Sequence, residues 1–241
     1  MMKDQIFQDL DSGTVPFAFN ESVAAVFPDM LRRSIPGYDA TIEAIAALAR
    51  RYVTAGTRCY DLGCSLGAAT LAVRRNICVA DCEIRAIDLA PAMVARCRKL
   101  VDEDRGTTSV IVAEADVRDT EISNASMVLM NYTLQFLPLR DRPALLSRIH
   151  DGMVDGGVFV LSEKVANDDP GLEQLLVELH HDFKRANAYS DLEIARKRSA
   201  LENVLVPETT ATHLERLATA GFRHCGVWLR YFNFISILAI R

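Results

Sequence analysis

The residues at 59–70, CYDLGCSLGAAT, combine an apolar strand ending in an acid, a turn punctuated by Gly63 and Gly67, and the start of a helix. Glycine lets the main chain turn tightly and approach a ligand with no Cβ in the way, and the amides that open the next helix favour polar or anionic ligand atoms. Ser65 stands where the second glycine of a GxGxxG dinucleotide fingerprint belongs, so a smaller nucleoside ligand suits this turn better than a pyrophosphate. Downstream, Asp88 closes the run EIRAID at 83–88, where an acid can accept both hydroxyls of a ribose. Asp116 follows a third apolar run, 109–113, and its carboxylate or the adjoining Val117 amide can face an adenine edge. Either acid alone reads equally well as a strand-end or helix-capping residue.

As an ordered set, turn, ribose acid and third-strand acid resemble the S-adenosylmethionine-binding methyltransferases. Other chemistries find less support. Six cysteines, at 59, 64, 78, 82, 97 and 225, form no CxxC pair and no His/Cys set with zinc spacing, so reduced thiols and no metal are expected. Cys64 reads as a small residue tolerated beside a ligand rather than as a nucleophile. The net charge of −5 supplies no basic field for gripping nucleic acid, so direct binding of nucleic acid is not expected. With no signal-like N-terminal apolar segment and no apolar run of spanning length, the reading is cytoplasmic, with no membrane partner.

The elements that must position these groups alternate strand and helix from Thr57 onward, which predicts a parallel, doubly wound α/β sheet. Apolar periodicity predicts helices at 21–33 and 39–52, split by Ile35-Pro36-Gly37. Next come strand 57–62, helix 67–76, strand 83–88, helix 91–103 with Pro91 in its first turn, strands 109–114 and 126–131, helix 141–153 and strand 157–162. The tail, 222–240, has two β-rich runs that suit a terminal antiparallel hairpin, completing seven strands in a Rossmann-like class I methyltransferase fold. Between strand 157–162 and a helix at 208–220 the insert 163–207 reads as two further helices, 171–187 and 190–204. Residues 180–198 carry five Lys/Arg against three Asp/Glu, so this stretch can face an anionic substrate or be a solvated helix surface. His180 and His181 read as structural or surface residues. The expected organisation is a tail, 1–18, and a single domain, 19–241, with a helical preface at 20–52.

Three phrases go beyond a generic methyltransferase: VFPDMLRRSIPGYD at 26–39, YDLGCSLGAATLAVRRNI at 60–77 and HHDFKRANAYSDLEIARKRSALENVL at 180–205. With MNYTLQFLP at 130–138 and GGVFVLSEK at 156–164, they closely resemble the bacterial carboxy-S-adenosyl-L-methionine synthases, from about Phe19 to the C-terminus. The resemblance implies an enzyme that uses S-adenosylmethionine as a substrate and converts it, with prephenate, to carboxy-S-adenosylmethionine and phenylpyruvate. It further implies a homodimer and a functional link to a tRNA carboxymethyltransferase that makes uridine-5-oxyacetic acid at the wobble position.

Carried over onto this chain, the family's ligand-binding positions fall on Tyr38, Gly63, Cys64, Ser65, Asp88, Leu89, Asp116, Val117, Asn131 and Arg198. Gly63 to Ser65 would line the methionyl moiety, Asp88 and Leu89 the ribose, Asp116 and Val117 the adenine, and Asn131 the polar mouth beyond the fourth strand. Relatives often carry a polar residue where Leu89 stands, so a contact there would be backbone or apolar. Arg198 is the expected catalytic residue, because a guanidinium holds a carboxylate through two parallel charge-assisted hydrogen bonds; Tyr38 can donate to the same group. Two other classes remain open on residues alone: an ordinary small-molecule methyltransferase, and a catalytically silent S-adenosylmethionine-binding adaptor.

Overall fold

Strand Ala125–Asn131 (β4) is buried along nearly its whole length, which places it at the centre of the sheet. The computed structural model describes residues 3, 4, 6, 18–201 and 204–241, and the expected tail 1–18 therefore lies largely outside the described residues. Around β4 run Arg58–Leu62 (β1), Glu83–Asp88 (β2), Ser109–Glu114 (β3), Met153–Lys164 (β5), His224–Tyr231 (β6) and Phe234–Ile240 (β7), in the order β3-β2-β1-β4-β5-β7-β6. All neighbours up to β5 pair in parallel, whereas β7 is antiparallel to both β5 and β6. The direction of winding reverses between β1 and β4. In open α/β sheets, ligands sit beyond the carboxyl ends of the strands at such a switch point.

Two helices, Glu21–Ser34 (α1) and Tyr38–Tyr52 (α2), precede β1. Asn20 caps α1 by accepting from Val23 N at 3.1 Å. Pro28 sits inside α1 and has no N–H to give to Ala24; the Ala24 carbonyl instead accepts from Arg96 on the next layer at 3.2 Å. Helices Ala68–Arg74 (α3), Pro91–Glu103 (α4) and Arg142–Gly152 (α5) connect the strands. Pro170–Ala186 (α6) and Asp191–Leu201 (α7) form the insert, and Thr210–Thr219 (α8) leads into the hairpin. Among the described residues no helix is long and apolar enough to cross a membrane.

The strand expected at 157–162 is longer in the fold. It starts at Met153, passes a register shift opposite Ala125/Met127 where Gly156 takes φ +76°, and runs on to Lys164 because β7 pairs with it as far as Phe234. That extension carries Lys164 to the ligand side of the sheet. Buried Arg142 ties the β4–α5 connection to the segment after the insert: it donates to the carbonyls of Leu137 (3.1 Å), Gln135 (3.2 Å) and Val206 (3.0 Å) and pairs with Glu208 at 2.5 Å. Asp4 also docks on the insert: it is buried, accepts a hydrogen bond from the Tyr189 hydroxyl and pairs with Lys197 at 3.7 Å.

Candidate functional site

At the carboxyl end of β1 the chain must turn away while β4 ends alongside it. Gly63 takes φ +87°, and a Cβ there would lie 2.0 Å from Thr133 Oγ1, so only glycine lets the two strand ends approach this closely. The amides of Gly63 and Cys64 both donate to the Ile87 carbonyl, at 2.8 and 2.9 Å, which pins the turn to β2. Ser65, at φ +51°, donates its amide to Asp88 Oδ2 at 2.8 Å, while Ala90 N donates to Oδ1 at 2.9 Å. The acid expected at the ribose thus also clamps the glycine turn. Burial raises the Asp88 pKa above the usual carboxylate value, against the opposing pull of these backbone donors. The Cys64 thiol is raised further, by its hydrogen bond with Cys97 and by burial, as befits an inert lining residue.

Tyr38, Gly63, Cys64, Ser65, Asp88, Leu89, Asp116, Val117, Asn131 and Arg198 all line one cavity of about 1200 Å³. Their states within it differ. The Asp116 carboxylate is engaged by Arg118, at 2.7 Å through Nη2, and its pKa is lowered by that guanidinium. Val117 is buried, and its N–H makes no hydrogen bond to a described residue, which leaves a donor beside an acceptor at the far end of the cavity. Leu89 is 64% exposed, and its side chain has no polar atom to offer the ribose expected there. Asn131 Oδ1 accepts from Ser162 Oγ at 2.8 Å, and Ser162 is bonded in turn to Ser236 Oγ at 2.9 Å, which also accepts from the Trp228 indole at 2.8 Å. This fixes the amide and leaves buried Asn131 Nδ2 with no partner among the described residues.

Three groups form the floor. Buried Asp61, at the end of β1, is pushed up to about 6 by burial and accepts from Thr70 Oγ1 at 2.6 Å. Tyr38 and Tyr132 are both raised by burial, Tyr38 further by the Asp61 charge. The opposite wall comes from β5 and the insert and is cationic: Lys164, Lys184, Lys197 and Arg198 line it with His180 and His181. Burial, and then the other cations, press Lys184 down to about 7. Burial presses His180 down to about 2, and this neutral ring bonds the Ser34 carbonyl at 2.8 Å, a structural role.

Residues 59–157 match a methyltransferase domain family. A carboxy-S-adenosyl-L-methionine synthase of Geobacter metallireducens is 54% identical over 94% of this chain and 93% of its own length. Its counterpart from Escherichia coli K12 is 51% identical over 99% of this chain and 97% of its own. The chain belongs to the carboxy-S-adenosyl-L-methionine synthase family. Among solved structures, an O-methyltransferase family protein from Burkholderia thailandensis matches with a TM-score of 0.69 at 16% identity, over 95% of this chain and 65% of its own. Human N-acetylserotonin methyltransferase, solved with S-adenosylmethionine, matches with a TM-score of 0.61 at 16% identity, over 91% of this chain and 55% of its own. These likenesses show the seven-stranded methyltransferase fold.

For a synthase of this family, sequence reasoning missed the groups that sit beside the carried-over positions. Asp61 was visible only as the acid ending the strand. Arg118, bonded to Asp116 and at 2.9 Å to Asp141, carried a signal in the EADVRD phrase, where opposite charges stand two apart. Lys184 carried none beyond the excess of Lys/Arg over Asp/Glu at 180–198, and Lys164 carried none, since their convergence depends on how α6 and α7 fold back over β5.

Proposed function

We propose that this synthase converts S-adenosylmethionine and prephenate to carboxy-S-adenosylmethionine and phenylpyruvate. The observation that carries the reading is that Arg198 lines the same cavity as the glycine turn, Asp88 and Asp116, and makes no ion pair among the described residues. A methyl transfer to a neutral acceptor has no use for such a cation, whereas a carboxylated product needs one.

In this reading the methionyl moiety lies against Gly63 to Ser65, with its ammonium toward Asp61. Asp88 keeps one lone pair on each oxygen for the ribose hydroxyls. The Asp116 carboxylate accepts from the adenine amino group while Val117 N–H donates to the ring. Asn131 Nδ2 and Tyr38 reach the polar mouth, and Arg198 faces the carboxylate. Family chemistry implies that prephenate loses carbon dioxide and hydroxide as its ring aromatises, that the hydroxide takes a proton from the sulfonium methyl to give water, and that the resulting ylide traps the carbon dioxide. The protein then needs position and dryness more than a strong base. The raised pKa values of Tyr38 and Tyr132 fit this, since both stay neutral hydrogen-bond donors.

The product would serve a tRNA carboxymethyltransferase in the cytoplasm, with no tRNA contact by this chain. A second copy would cover Leu172, Leu175 and Leu179, exposed on α6. The deciding experiment is mass spectrometry of the protein incubated with S-adenosylmethionine with and without prephenate. A nucleoside heavier by one carbon dioxide, formed only with prephenate, is the expected result; its absence with S-adenosylmethionine still bound would return the chain to methyl transfer.

A further inference from the structure

One arginine accounts for one carboxylate, and the cavity holds more positive charge than that. Lys184 on α6 is 9% exposed and lines the cavity. Its ammonium makes no hydrogen bond or ion pair among the described residues, and the charges that act on it are Lys197, Lys164 and Arg198. Lys197 is answered within the fold by Asp4 at 3.7 Å and by Ser34 Oγ at 2.8 Å. Lys164, at the end of β5, faces one acid, Glu173, and Arg198. With Lys164, Lys184 and Arg198 protonated and Glu173 ionised, the wall keeps two positive charges that no described residue neutralises. An unpaired cation out of water is costly, and a ligand of charge −2 removes that cost.

We infer that Lys184, with Lys164 near it, binds the carboxylate of the co-substrate that remains in the keto-acid product, while Arg198 serves the carboxylate that is transferred. The assignment rests on the synthase reading above and names the selectivity it implies: a dicarboxylate is preferred over a monocarboxylate of the same shape. The depressed pKa of Lys184 fits a group that waits partly deprotonated and is recharged when the anion arrives. Lys184 is a positioning and specificity residue, because the bond that forms lies at the sulfonium methyl and not at this carboxylate.

Phenylpyruvate is the natural probe, since it keeps only the retained carboxylate. In Lys184→Met the KM for prephenate is expected to rise at least about tenfold with kcat within about threefold. Product inhibition by phenylpyruvate should weaken in parallel, the dissociation constant of S-adenosylmethionine should not move, and Lys184→Arg should restore the KM. In Arg198→Ala phenylpyruvate binding should survive. Unchanged KM and phenylpyruvate inhibition in Lys184→Met would overturn the assignment; so would a loss of S-adenosylmethionine affinity, which would move Lys184 to the methionyl carboxylate. If the Met variant does not fold, acetylation of Lys184 in the wild-type protein gives the same decision: saturating phenylpyruvate should block it, and undiminished labelling refutes the contact. Failure of the synthase reading itself shows separately, as wild-type protein that makes no carboxylated nucleoside from prephenate.

Discussion

Ser65 N lies 2.8 Å from Asp88 Oδ2, so the acid expected to hold the ribose also holds the glycine turn in shape. Ser65 needs this restraint, because at φ +51° it occupies the left-handed region that non-glycine residues rarely adopt. The ligand contact expected of Asp88 and the loop geometry are coupled through one carboxylate.

Asp88→Ala is therefore expected to weaken S-adenosylmethionine binding at least about tenfold, from lost acceptors and a loosened turn together. Asp88→Asn, which keeps one accepting oxygen but sets an NH2 donor against the N–H of Ser65 or of Ala90, should fall between. Titration calorimetry on both variants checks the order, and wild-type affinity in Asp88→Ala would remove this residue from the site.

Arg198→Ala should keep S-adenosylmethionine affinity within about twofold while carboxylated product falls by about a hundredfold or more, because the lost pair of charge-assisted bonds is to the carboxylate alone. Unchanged turnover in that variant would sink the role. Calorimetry paired with product mass spectrometry separates the two effects.

Glu163, fully buried next to Lys164, is pushed up to about 8 by burial and has one oxygen, Oε2, without a partner among the described residues. An acid whose pKa rises on folding adds stability that is complete below its unfolded value of about 4.5 and is lost as pH climbs through the folded value near 8. Glu163→Gln should melt higher than wild type at pH 8.5, with the difference shrinking toward pH 5. Thermal melts across that range decide it; a difference independent of pH would show that Glu163 does not titrate this way.

Arg142→Met should destabilise the fold by about 2 kcal/mol or more, since it leaves the carbonyls of Leu137 and Val206 without the donor they now have and takes from Glu208 one of its two arginine partners, the other being Arg216. Urea denaturation measures this. The companion Glu208→Gln, which leaves Arg142 its carbonyl partners, should cost less; an equal or larger loss would mean that the ion pair outweighs the carbonyl bonds.

Where structure follows from neighbours a few residues away, the amino-acid sequence was enough. The strands Glu83–Asp88 and Ser109–Glu114 and the helix Pro91–Glu103 fall where the apolar runs and Pro91 place them, and Gly63 is glycine because the turn leaves no room for a Cβ. The order of cradle, Asp88 and Asp116 was legible for the same reason: each follows its own strand. Tertiary structure alone decided what those groups face. Arg118 engages Asp116, Ser65 engages Asp88, β7 draws β5 out to Lys164, and the fold of α6 and α7 brings Lys184 and Arg198 to the cavity that the glycine turn lines. Periodicity reports which face of an element is apolar, but the partner of a charged side chain lies elsewhere in the chain, and burial next to that partner, or without one, sets its chemistry.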